Sequence, residues 1–325
     1  MFTRSGATTA WCRVGLITVM AITTTPAVAA KCLYVSSYHH GYEWSDGVER
    51  GVRSVLADRC ELRQFDMDTK RRKSDEEKRG AALEAKKLID EWQPDVVITS
   101  DDNAAKYLIK PYYMDAEIPF VFSGVNWTAD EYGFPYSNVT GIVEVAPIGP
   151  MLEQARDISG AGARALYIGA ETLTEGKNAE RFSAATAELG IQLDVRLVAS
   201  TKAWLAAYRA GQSYDFIVLG SNSGINDWDK ERVRSALLEE SAKLSVTNHG
   251  WMMPYAMFGL TKVPEEQGEW AASTALEILA GTPPSHVPII ANRKWDVWAN
   301  TALLEGADIA LPRNLRRKAK RVQSQ

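Results

Sequence analysis

The fold is decided by a pattern that is clearest in the stretch PDVVITSDDNAA, residues 94–105. Its β-branched run Val96 to Thr99 predicts a buried strand, and the polar residues Ser100 to Asn103 lead directly into a helical segment. Working outward from this stretch, similar apolar runs alternate with helical patterns along almost the whole chain. Such alternation is typical of parallel sheets with helices on both faces, so the sequence predicts an α/β fold.

The predicted strands are Leu33 to Ser36, Leu62 to Phe65, Val96 to Thr99, Pro119 to Phe122, Val139 to Val143, Ala165 to Ile168, Leu193 to Val198, Phe216 to Leu219 and Leu244 to Thr247. Helix boundaries are signalled by local residues. Ser74 and Glu77 form a capping box, and Thr201 and Asp229 are the predicted N-caps of two later helices. A long helix is expected to open at Pro264 and to stop at Gly281.

The N-terminal segment predicts a secretory signal peptide over residues 1–30. Arg4 and Arg13 precede the apolar run Val14 to Ile22, and Val28 to Ala30 supply the small residues of a cleavage site near Ala30. That run is too short to cross a bilayer, and no later stretch approaches the ~20 apolar residues that a membrane-spanning helix needs. We therefore expect export to the periplasm.

The length and charge of the chain limit its partners. Of 325 residues, the 295 that remain after cleavage near Ala30 suffice for two lobes of about 150 residues each. The chain carries 37 basic and 41 acidic residues, a balance that does not favour nucleic acid as a partner. Basic clusters at Lys70 to Lys73 and at Arg313 to Arg321 are interpreted as solvated surface, or alternatively as a contact for a membrane or polyanion.

Cys32 and Cys60 are the two cysteines of the expected mature protein, because Cys12 leaves with the signal peptide. Cys32 opens the first predicted strand and Cys60 opens the second, and a βαβ unit places both strand starts on the same sheet edge. Neighbouring strand starts satisfy disulfide geometry in an oxidising compartment. The sequence predicts a Cys32–Cys60 disulfide; the alternative is two buried free thiols.

The loops after the strands are where an open parallel sheet binds its ligand. The first strand runs into SSYHHGYEW, residues 36–44, which concentrates hydroxyl, imidazole and aromatic groups. Ser37, Tyr38, His39 and Trp44 are therefore candidate ligand residues. The alternative is an aromatic lid over the core, with the histidines in water.

The loop after the third strand offers two kinds of polar group. Asp101, Asp102 and Asn103 stand at a helix start, where Ser100 or an aspartate caps the helix and the free amides receive an anionic group. A neighbouring aspartate then pairs with an ammonium group, an arrangement that suits an amino acid. The alternative is ordinary N-capping.

Further candidate ligand residues follow other strands or lie at the expected hinge: Ser123, Asn126, Trp127, Glu144, Ser221, Asn222, His249 and Trp251. The loop that holds Ser221 and Asn222 has a common loop composition, so an ordinary connection is the alternative there.

Enzyme templates fit the sequence poorly. It contains no HExxH or paired CxxC metal spacing, no G-x-S-x-G elbow and no Walker loop. A triad of Ser37, His39 and Asp101 rests on nothing but the proximity of their loops. We expect no catalytic residue, no metal and no cofactor, and therefore a binding protein rather than an enzyme.

Several short stretches resemble, in the same order, one protein family. They are Pro94–Ile98, Ile118–Phe122, Asn138–Ile142, Glu266–Gly268, Ala280–Gly281, Asn300–Ala302 and Ala310–Pro312. The family is that of the ABC transporter substrate-binding proteins typified by tryptophan- and tyrosine-uptake binding proteins. The resemblance covers nearly all of the mature chain.

A closer likeness is to a branch of this family that also occurs as extracytoplasmic sensor domains of histidine kinases. The stretches that resemble it are Ser37–Asp46, Met67–Arg71, Ser100–Ala104 and Phe122–Asn126. The chain departs from the amino-acid binders at Asp101–Asn103, where those proteins have a short Gly-Thr or Gly-Ser segment. The resemblance therefore does not name the ligand.

The resemblance implies a two-lobed type I periplasmic binding protein fold, in which each lobe is a parallel sheet flanked by helices and a hinge joins the lobes. Lobe 1 is then expected over residues 31–143 and about 251–283. Lobe 2 is expected over residues 144–250 and about 284–325. Three hinge crossings follow from these boundaries.

The function that this fold implies is capture of an amino-acid-like or aromatic solute in the cleft between the lobes. The expected partners are the small-molecule ligand and the ABC permease of an importer in the inner membrane, with the binding protein acting as a monomer. The alternative is a soluble periplasmic sensor that presents its bound state to a membrane histidine kinase or cyclase.

Overall fold

The computed structural model describes residues 1–3, 6, 29–160 and 162–322. Most of the predicted signal peptide lies outside these ranges, so that segment stays a prediction. In the parts of the chain that are described, no helix combines the length and the apolar character needed to cross a bilayer.

The first half of the fold alternates strands and helices from Lys31 onward. Its elements are β1 (Lys31–Ser36), α1 (Glu43–Leu56), β2 (Glu61–Asp66), α2 (Asp75–Trp92), β3 (Val96–Ser100), α3 (Asp101–Ala104), a π-helical turn (Ala105–Ile109), α4 (Lys110–Tyr112), β4 (Phe120–Asn126), a 3-10 turn (Asp130–Tyr132) and β5 (Val139–Glu144).

The second half continues the alternation. Its elements are α5 (Ile148–Ile158), β6 (Arg164–Ala170), α6 (Leu173–Glu188), β7 (Gln192–Val198), α7 (Thr201–Gly211), β8 (Phe216–Leu219), α8 (Lys230–Glu240), β9 (Leu244–Thr247), a 3-10 turn (Gly250–Met252), β10 (Phe258–Lys262), α9 (Pro264–Leu279), a 3-10 turn (Pro284–His286), β11 (Ile290–Ala291), β12 (Trp295–Ala299), α10 (Thr301–Gly306), α11 (Arg313–Lys318) and β13 (Lys320–Arg321).

The strands form two sheets, which define the two lobes. The sheet of the first lobe has the order β11-β5-β4-β3-β1-β2, and its neighbouring strands are parallel. The sheet of the second lobe has the order β13-β12-β10-β9-β8-β6-β7, and only its β10–β12 pair is antiparallel. The predicted α/β class, with a mostly parallel sheet in each of two lobes, is confirmed.

The predicted strands are all present, because their apolar runs are buried by helices on both faces of each sheet. The capping box of Ser74 with Glu77 is also present, and Asp229 caps α8 as predicted. One cap differs from the prediction. Ser200 accepts a hydrogen bond from the Ala203 N–H, so Thr201 is the first helical residue rather than the cap.

The positions of the lobe crossings correct the sequence-based boundaries. β10 belongs to the second sheet, and α9 then packs on α1 of the first lobe. The chain therefore crosses after Glu144, after Lys262 and after Ala291, whereas the returns expected near residues 251 and 284 come too early. The reason is non-local: β10 is completed by β12, which follows only after the whole of α9 and which the sequence pattern did not reveal.

α1 and α9 approach each other closely because a glycine lies in their interface. A Cβ atom at Gly268 would overlap the carbonyl oxygen of Val48, so a larger residue does not fit there. This contact sets the start of α9 against the first lobe, next to the end of β10, where the chain makes its second crossing.

The predicted disulfide is confirmed. Cys32 and Cys60 are bonded, with their Cα atoms 5.9 Å apart. The bond ties the start of β1 to the residue that precedes β2, at the sheet edge opposite to the candidate ligand loops.

Candidate functional site

The loops that follow β1, β3 and β4 meet at one edge of the first sheet, where Ser37 takes an internal role. Its Oγ accepts a hydrogen bond from the Ala104 N–H at 2.8 Å and donates to the carbonyl oxygen of Ser100. Ser37 therefore caps α3, in place of the expected Ser100 or aspartate, which make no side-chain cap. The expectation for the cap was wrong because the capping side chain comes from the loop after β1, far along the chain.

Asp101 is the most unusual group at this edge. Its side chain is 2% exposed, and its backbone has a φ of +67°, a conformation that non-glycine residues seldom adopt. Oδ1 accepts a hydrogen bond from Trp44 Nε1 at 2.9 Å, whereas the buried Oδ2 has no hydrogen-bond partner among the described residues. Burial, reinforced by the charge of Asp102, raises the pKa of Asp101 to about 7. Asp101 is thus a buried acid with unmet hydrogen-bonding capacity.

Gly124 is what allows the chain to pass beside Asp101. Its φ of +65° favours glycine, and a Cβ there would lie 3.1 Å from Asp101 Oδ1. The buried side chain of Gln267, at the start of α9, holds this turn by accepting a hydrogen bond from the Gly124 N–H at 2.8 Å. Sequence reasoning missed Gln267, because its partner lies 143 residues away.

Lys262 and Glu144 complete a group that we call the hinge cluster: Trp44, Asp101, Glu144 and Lys262. Lys262 Nζ contacts Glu144 Oε1, and it also lies 5.2 Å from the centroid of the Trp44 ring. Burial lowers the pKa of Lys262 to about 8, while the negative charge of Asp101 acts in the opposite direction. Lys262 was not predicted, because its strand β10 was not.

Asp102 differs from Asp101 in being fully engaged within the first lobe. It accepts hydrogen bonds from Asn126 Nδ2 at 2.5 Å and from the Tyr132 hydroxyl at 2.8 Å. Tyr132 was not among the predicted site residues. Both oxygens of Asp102 therefore have hydrogen-bond partners, whereas Oδ2 of Asp101 has none within the described ranges.

Two further predicted residues are occupied inside the same lobe. Asn103 Nδ2 donates to Thr69 Oγ1 at 2.8 Å, and the buried Ser123 donates to the carbonyl oxygen of Thr99 at 3.1 Å. Both side chains therefore hold the loops of the site together within the first lobe.

Trp127 reaches from the first lobe to the second. The guanidinium carbon of Arg181, in α6, lies 4.0 Å from the centroid of its ring. The backbone N–H of Trp127 donates to the carbonyl oxygen of Glu144 at 2.9 Å, which ties the backbone of Trp127 to the hinge. Trp44 and Trp127 of the first lobe thus each face a cation of the second lobe, Lys262 and Arg181 respectively.

The aromatic loop after β1 packs partly on its own neighbours. Tyr38 and Tyr42 meet edge to face at 5.3 Å, and Lys70 Nζ lies 4.2 Å from the Tyr38 ring centroid. His39 Nδ1 lies 3.2 Å from Asp68 Oδ1. This part of the loop has the packing that the lid interpretation expects, whereas Trp44 belongs to the hinge cluster.

In the second lobe, a buried acid positions the predicted loop after β8. Glu175 is 2% exposed and accepts hydrogen bonds from the Tyr167 hydroxyl at 2.7 Å and from the Ser221 N–H at 2.9 Å. Ser221 Oγ in turn accepts from the Ser223 N–H at 3.0 Å, and Asn222 is half-buried. Glu175 was not predicted, since a glutamate at the start of a helix is ordinary in sequence.

His249 and Trp251 form a separate pair. Their rings stack with centroids 4.5 Å apart, and the Trp251 side chain is 56% exposed. Burial lowers the pKa of His249 to about 4, so its imidazole is neutral at neutral pH. Across the described ranges, no hydrogen bond or ring contact joins Ser221, Asn222, His249 or Trp251 to the hinge cluster.

One group of side chains has the spacing of metal ligands. Ligand atoms of His40, Asp46 and Glu49 lie within 4.8 Å of one another. Their carboxylates already have partners, however: Asp46 accepts from the Gly41 N–H at 2.8 Å, and Glu49 accepts from Arg53 at 2.6 Å. We assign no ion to this exposed group.

Solved structures of other proteins share this architecture. An ABC domain from Streptococcus pneumoniae in complex with L-Trp superposes with a TM-score of 0.59 at 15% identity, over 90% of this chain and 100% of that chain. A ligand-free, open substrate-binding protein with adhesive properties from Clostridium difficile gives a TM-score of 0.71 at 12% identity, over 91% and 100%. The fold is that of the type I periplasmic binding proteins.

Other proteins with this type I fold differ in what they bind. A periplasmic solute-binding protein of an ABC transporter from Actinobacillus succinogenes, with bound D-allose, has a TM-score of 0.55 at 12% identity, over 85% of this chain and 99% of that chain. LacI-family transcriptional regulators also match. No protein-family model and no curated protein matches the sequence. The fold expected from the resemblance is thus confirmed, and function is argued from the site.

Proposed function

We propose that the protein captures a small amino-acid-like or aromatic solute between its lobes and delivers it to the permease of an ABC importer. One observation carries this proposal. In the hinge cluster, a buried acid has an oxygen without a hydrogen-bond partner in the described part of the chain, and it lies beside an indole that faces a cation of the other lobe. This arrangement suits recognition of a small molecule.

Asp101 supplies the polar anchor in this proposal. A buried polar atom without a hydrogen bond costs about 1–3 kcal/mol, and a donor from a ligand removes that cost. An ammonium group has three such donors and the opposite charge. Binding a cationic amine would also hold Asp101 in its ionised form, against the effect of burial on its pKa.

The indoles and cations supply the rest of the ligand chemistry. Trp44 and Trp127 offer aromatic faces, on which a planar ring stacks, while Lys262 and Arg181 offer positive charge for a carboxylate. Asn126 is the exposed polar group beside them. An ammonium, a carboxylate and an aromatic ring together describe an aromatic amino acid or a close analogue.

Lobe closure is the proposed mechanism. The cations lie in α6 and β10 of the second lobe, whereas the indoles and Asp101 lie in the first, so a ligand that contacts both sets favours the closed arrangement. Solved proteins of this fold include a ligand-free open form and forms with bound L-Trp or D-allose. In the closed state, Ser221, Asn222, His249 and Trp251 are the second lobe's proposed contributions.

Export to the periplasm is part of the proposal, with cleavage near Ala30. It is supported by the Cys32–Cys60 disulfide, which persists in oxidising compartments. It is also supported by the position of β1, which begins at Lys31, directly after the proposed cleavage site.

A sensor is the second candidate function. In that case the same closed state is presented to a membrane histidine kinase or cyclase, in agreement with the resemblance of Ser37–Asp46 and Ser100–Ala104 to sensor domains. A membrane partner that binds only the liganded form and is not the permease of an ABC importer would favour it.

The proposal is tested by a thermal-shift screen of the exported protein against amino acids, nucleosides, short carboxylates and sugars. A ligand that binds only the native state raises the melting temperature by linkage. We expect a hit among aromatic amino acids or their analogues, recovered chemically unchanged by mass spectrometry. A screen without a hit, together with native mass spectrometry that finds no co-purified ligand, would contradict solute capture.

A further inference from the structure

The two basic clusters of the sequence differ in how many of their charges are paired with acids or aromatic rings. In the first cluster, at residues 70–73, Lys70 lies over the Tyr38 ring and Arg71 pairs with Asp68 at 2.8 Å. Arg72 of the same cluster pairs with Glu84 at 3.1 Å. Three of these four charges are thus accounted for by contacts within the first lobe.

The second cluster keeps most of its charges unpaired. The stretch RNLRRKAKR, residues 313–321, holds six basic residues and no acid, in a chain whose formal net charge is −4. It forms α11 and β13, with Leu315 buried and its four exposed helical cations on the outside. Within the described ranges, Lys320 is the one of the six with a salt bridge, to Asp296 at 2.6 Å.

A groove continues this positive surface. Next to β13 lies a cavity of about 450 Å³, whose lining includes Arg234, Lys320 and Arg321. Arg234 has one carboxylate nearby, Glu231 at 3.8 Å. The lining also includes four apolar side chains: Met253, Pro254, Trp298 and Val322. The groove therefore combines cations with apolar surface.

We propose that this surface, which we call the basic face (α11, β13 and the adjoining groove), docks on an anionic phospholipid membrane. Exposed cations spread over a short helix and an edge strand match a plane of phosphate groups, and attraction to such a plane needs no fixed partner geometry. A lipid headgroup also matches the groove, with its phosphate near the cations and its glycerol against the apolar side chains. Docking at the basic face does not depend on what the cleft binds.

Vesicle co-sedimentation of the full protein tests the proposal. We expect binding to vesicles that contain phosphatidylglycerol, little binding to pure phosphatidylcholine, and release as salt shortens the Debye length. The test variant is Arg316→Gln/Arg317→Gln/Lys318→Gln. Each basic residue near an anionic surface contributes roughly fivefold to partitioning, so this variant should bind on the order of 100-fold more weakly.

The matched control is Arg79→Gln/Lys86→Gln/Lys87→Gln, which removes the same charge from helix α2, where each of these residues pairs with an acid. It should bind like the wild type.

A second variant, Arg313→Gln/Arg321→Gln, keeps the helix interior intact and should bind roughly 25-fold more weakly. Equal loss in control and test variants, or no preference for anionic vesicles, overturns the proposal. So does binding to polyglutamate without binding to vesicles, which assigns the basic face to an acidic protein.

Discussion

Lys262 contacts Glu144, a residue 118 positions away in sequence, where the chain leaves β5 and β10 to cross between the lobes. Glu144 is the last residue of β5 in the first lobe, and Lys262 is the last residue of β10 in the second. The Glu144 side chain is 6% exposed, so its charge depends on this partner. The pair therefore ties the lobes together beside the proposed anchor, Asp101.

Removing Lys262 should destabilise the protein more than removing the whole pair. Lys262→Met leaves the buried carboxylate of Glu144 without a counter-charge, at an expected cost of about 3 kcal/mol in the free energy of unfolding. Lys262→Met/Glu144→Gln should recover part of that loss. Urea denaturation of the wild type, both single variants and the double variant gives the coupling. Strictly additive effects would contradict a direct interaction.

Between pH 4 and pH 7, the contribution of Asp101 to the free energy of unfolding should fall as the pH rises. Its pKa is raised from 3.8 to about 7 in the folded state, so the folded state holds a proton that the unfolded state has lost. Its contribution is complete below pH 4 and is lost as the pH rises through 7. Asp101→Asn keeps an acceptor for Trp44 but does not titrate.

The measurement for this prediction is the difference in the free energy of unfolding between Asp101→Asn and the wild type across the pH range. The variant should gain on the wild type as the pH rises. His249, whose pKa is lowered to about 4, contributes the opposite slope, but it is common to both proteins and cancels in the difference. If the free energies of unfolding of the two proteins changed in parallel with pH, the pKa of Asp101 would not be raised by folding.

Asp101 and Asp102 should separate binding from folding. Asp101→Asn removes the proposed anchor, so the affinity for the ligand found in the screen should fall at least about tenfold, while the ligand-free protein should lose no stability at neutral pH. Asp102→Asn disturbs the bonds with Asn126 and Tyr132 and should cost about 1–2 kcal/mol of stability, with a smaller change in affinity. Calorimetric titration and melting temperatures distinguish the two. Similar affinity losses in both variants would argue against an anchor specific to Asp101.

Reduction of the Cys32–Cys60 disulfide should lower stability by about 3–4 kcal/mol on the chain-entropy estimate for a loop of this length. The sequence separation of the two cysteines is 28 residues. Denaturation with and without reducing agent gives the difference, and Cys32→Ala/Cys60→Ala serves as the control that reducing agent does not affect. Two free thiols in the unfolded, unreduced protein would contradict the disulfide.

Two helical glycines should respond to alanine with opposite signs. Gly268→Ala forces α9 away from α1, because its Cβ overlaps the Val48 carbonyl oxygen, and a loss of at least about 2 kcal/mol is expected. Gly80 of α2 has open space around it, so Gly80→Ala should stabilise by about 0.5–1 kcal/mol through helix propensity. Guanidinium denaturation of both variants checks this contrast. A neutral Gly268→Ala would mean that the α1–α9 contact is loose.

Local patterns were enough for most of the fold. The apolar runs, the capping box at Ser74 and the opening of α9 at Pro264 depend on neighbouring residues, so they could be predicted from the sequence. The cysteine pair could be predicted too, because adjacent parallel strands begin at the same edge. β10 and β12 could not, because each is completed by the other across the whole of α9.

The sequence indicated which loops form the candidate site, but not what each side chain does in it. The loops after β1 and β3 were singled out by composition, yet their sequence does not say that Ser37 caps α3 or that Asp102 is engaged by Tyr132. Glu175, Arg181 and Gln267 gave no local signal, since each acts on a partner far along the chain.

The sequence by itself determined the α/β architecture, the strands with local signals and the disulfide, and it predicted the loops of the candidate site. Only the tertiary structure decided which of two adjacent aspartates has an oxygen without a partner among the residues described, and which cation faces each indole. The physical reason is that secondary structure and strand order follow from short-range periodicity. Burial, pairing and protonation instead depend on side chains that strand pairing and lobe packing bring together from distant parts of the chain.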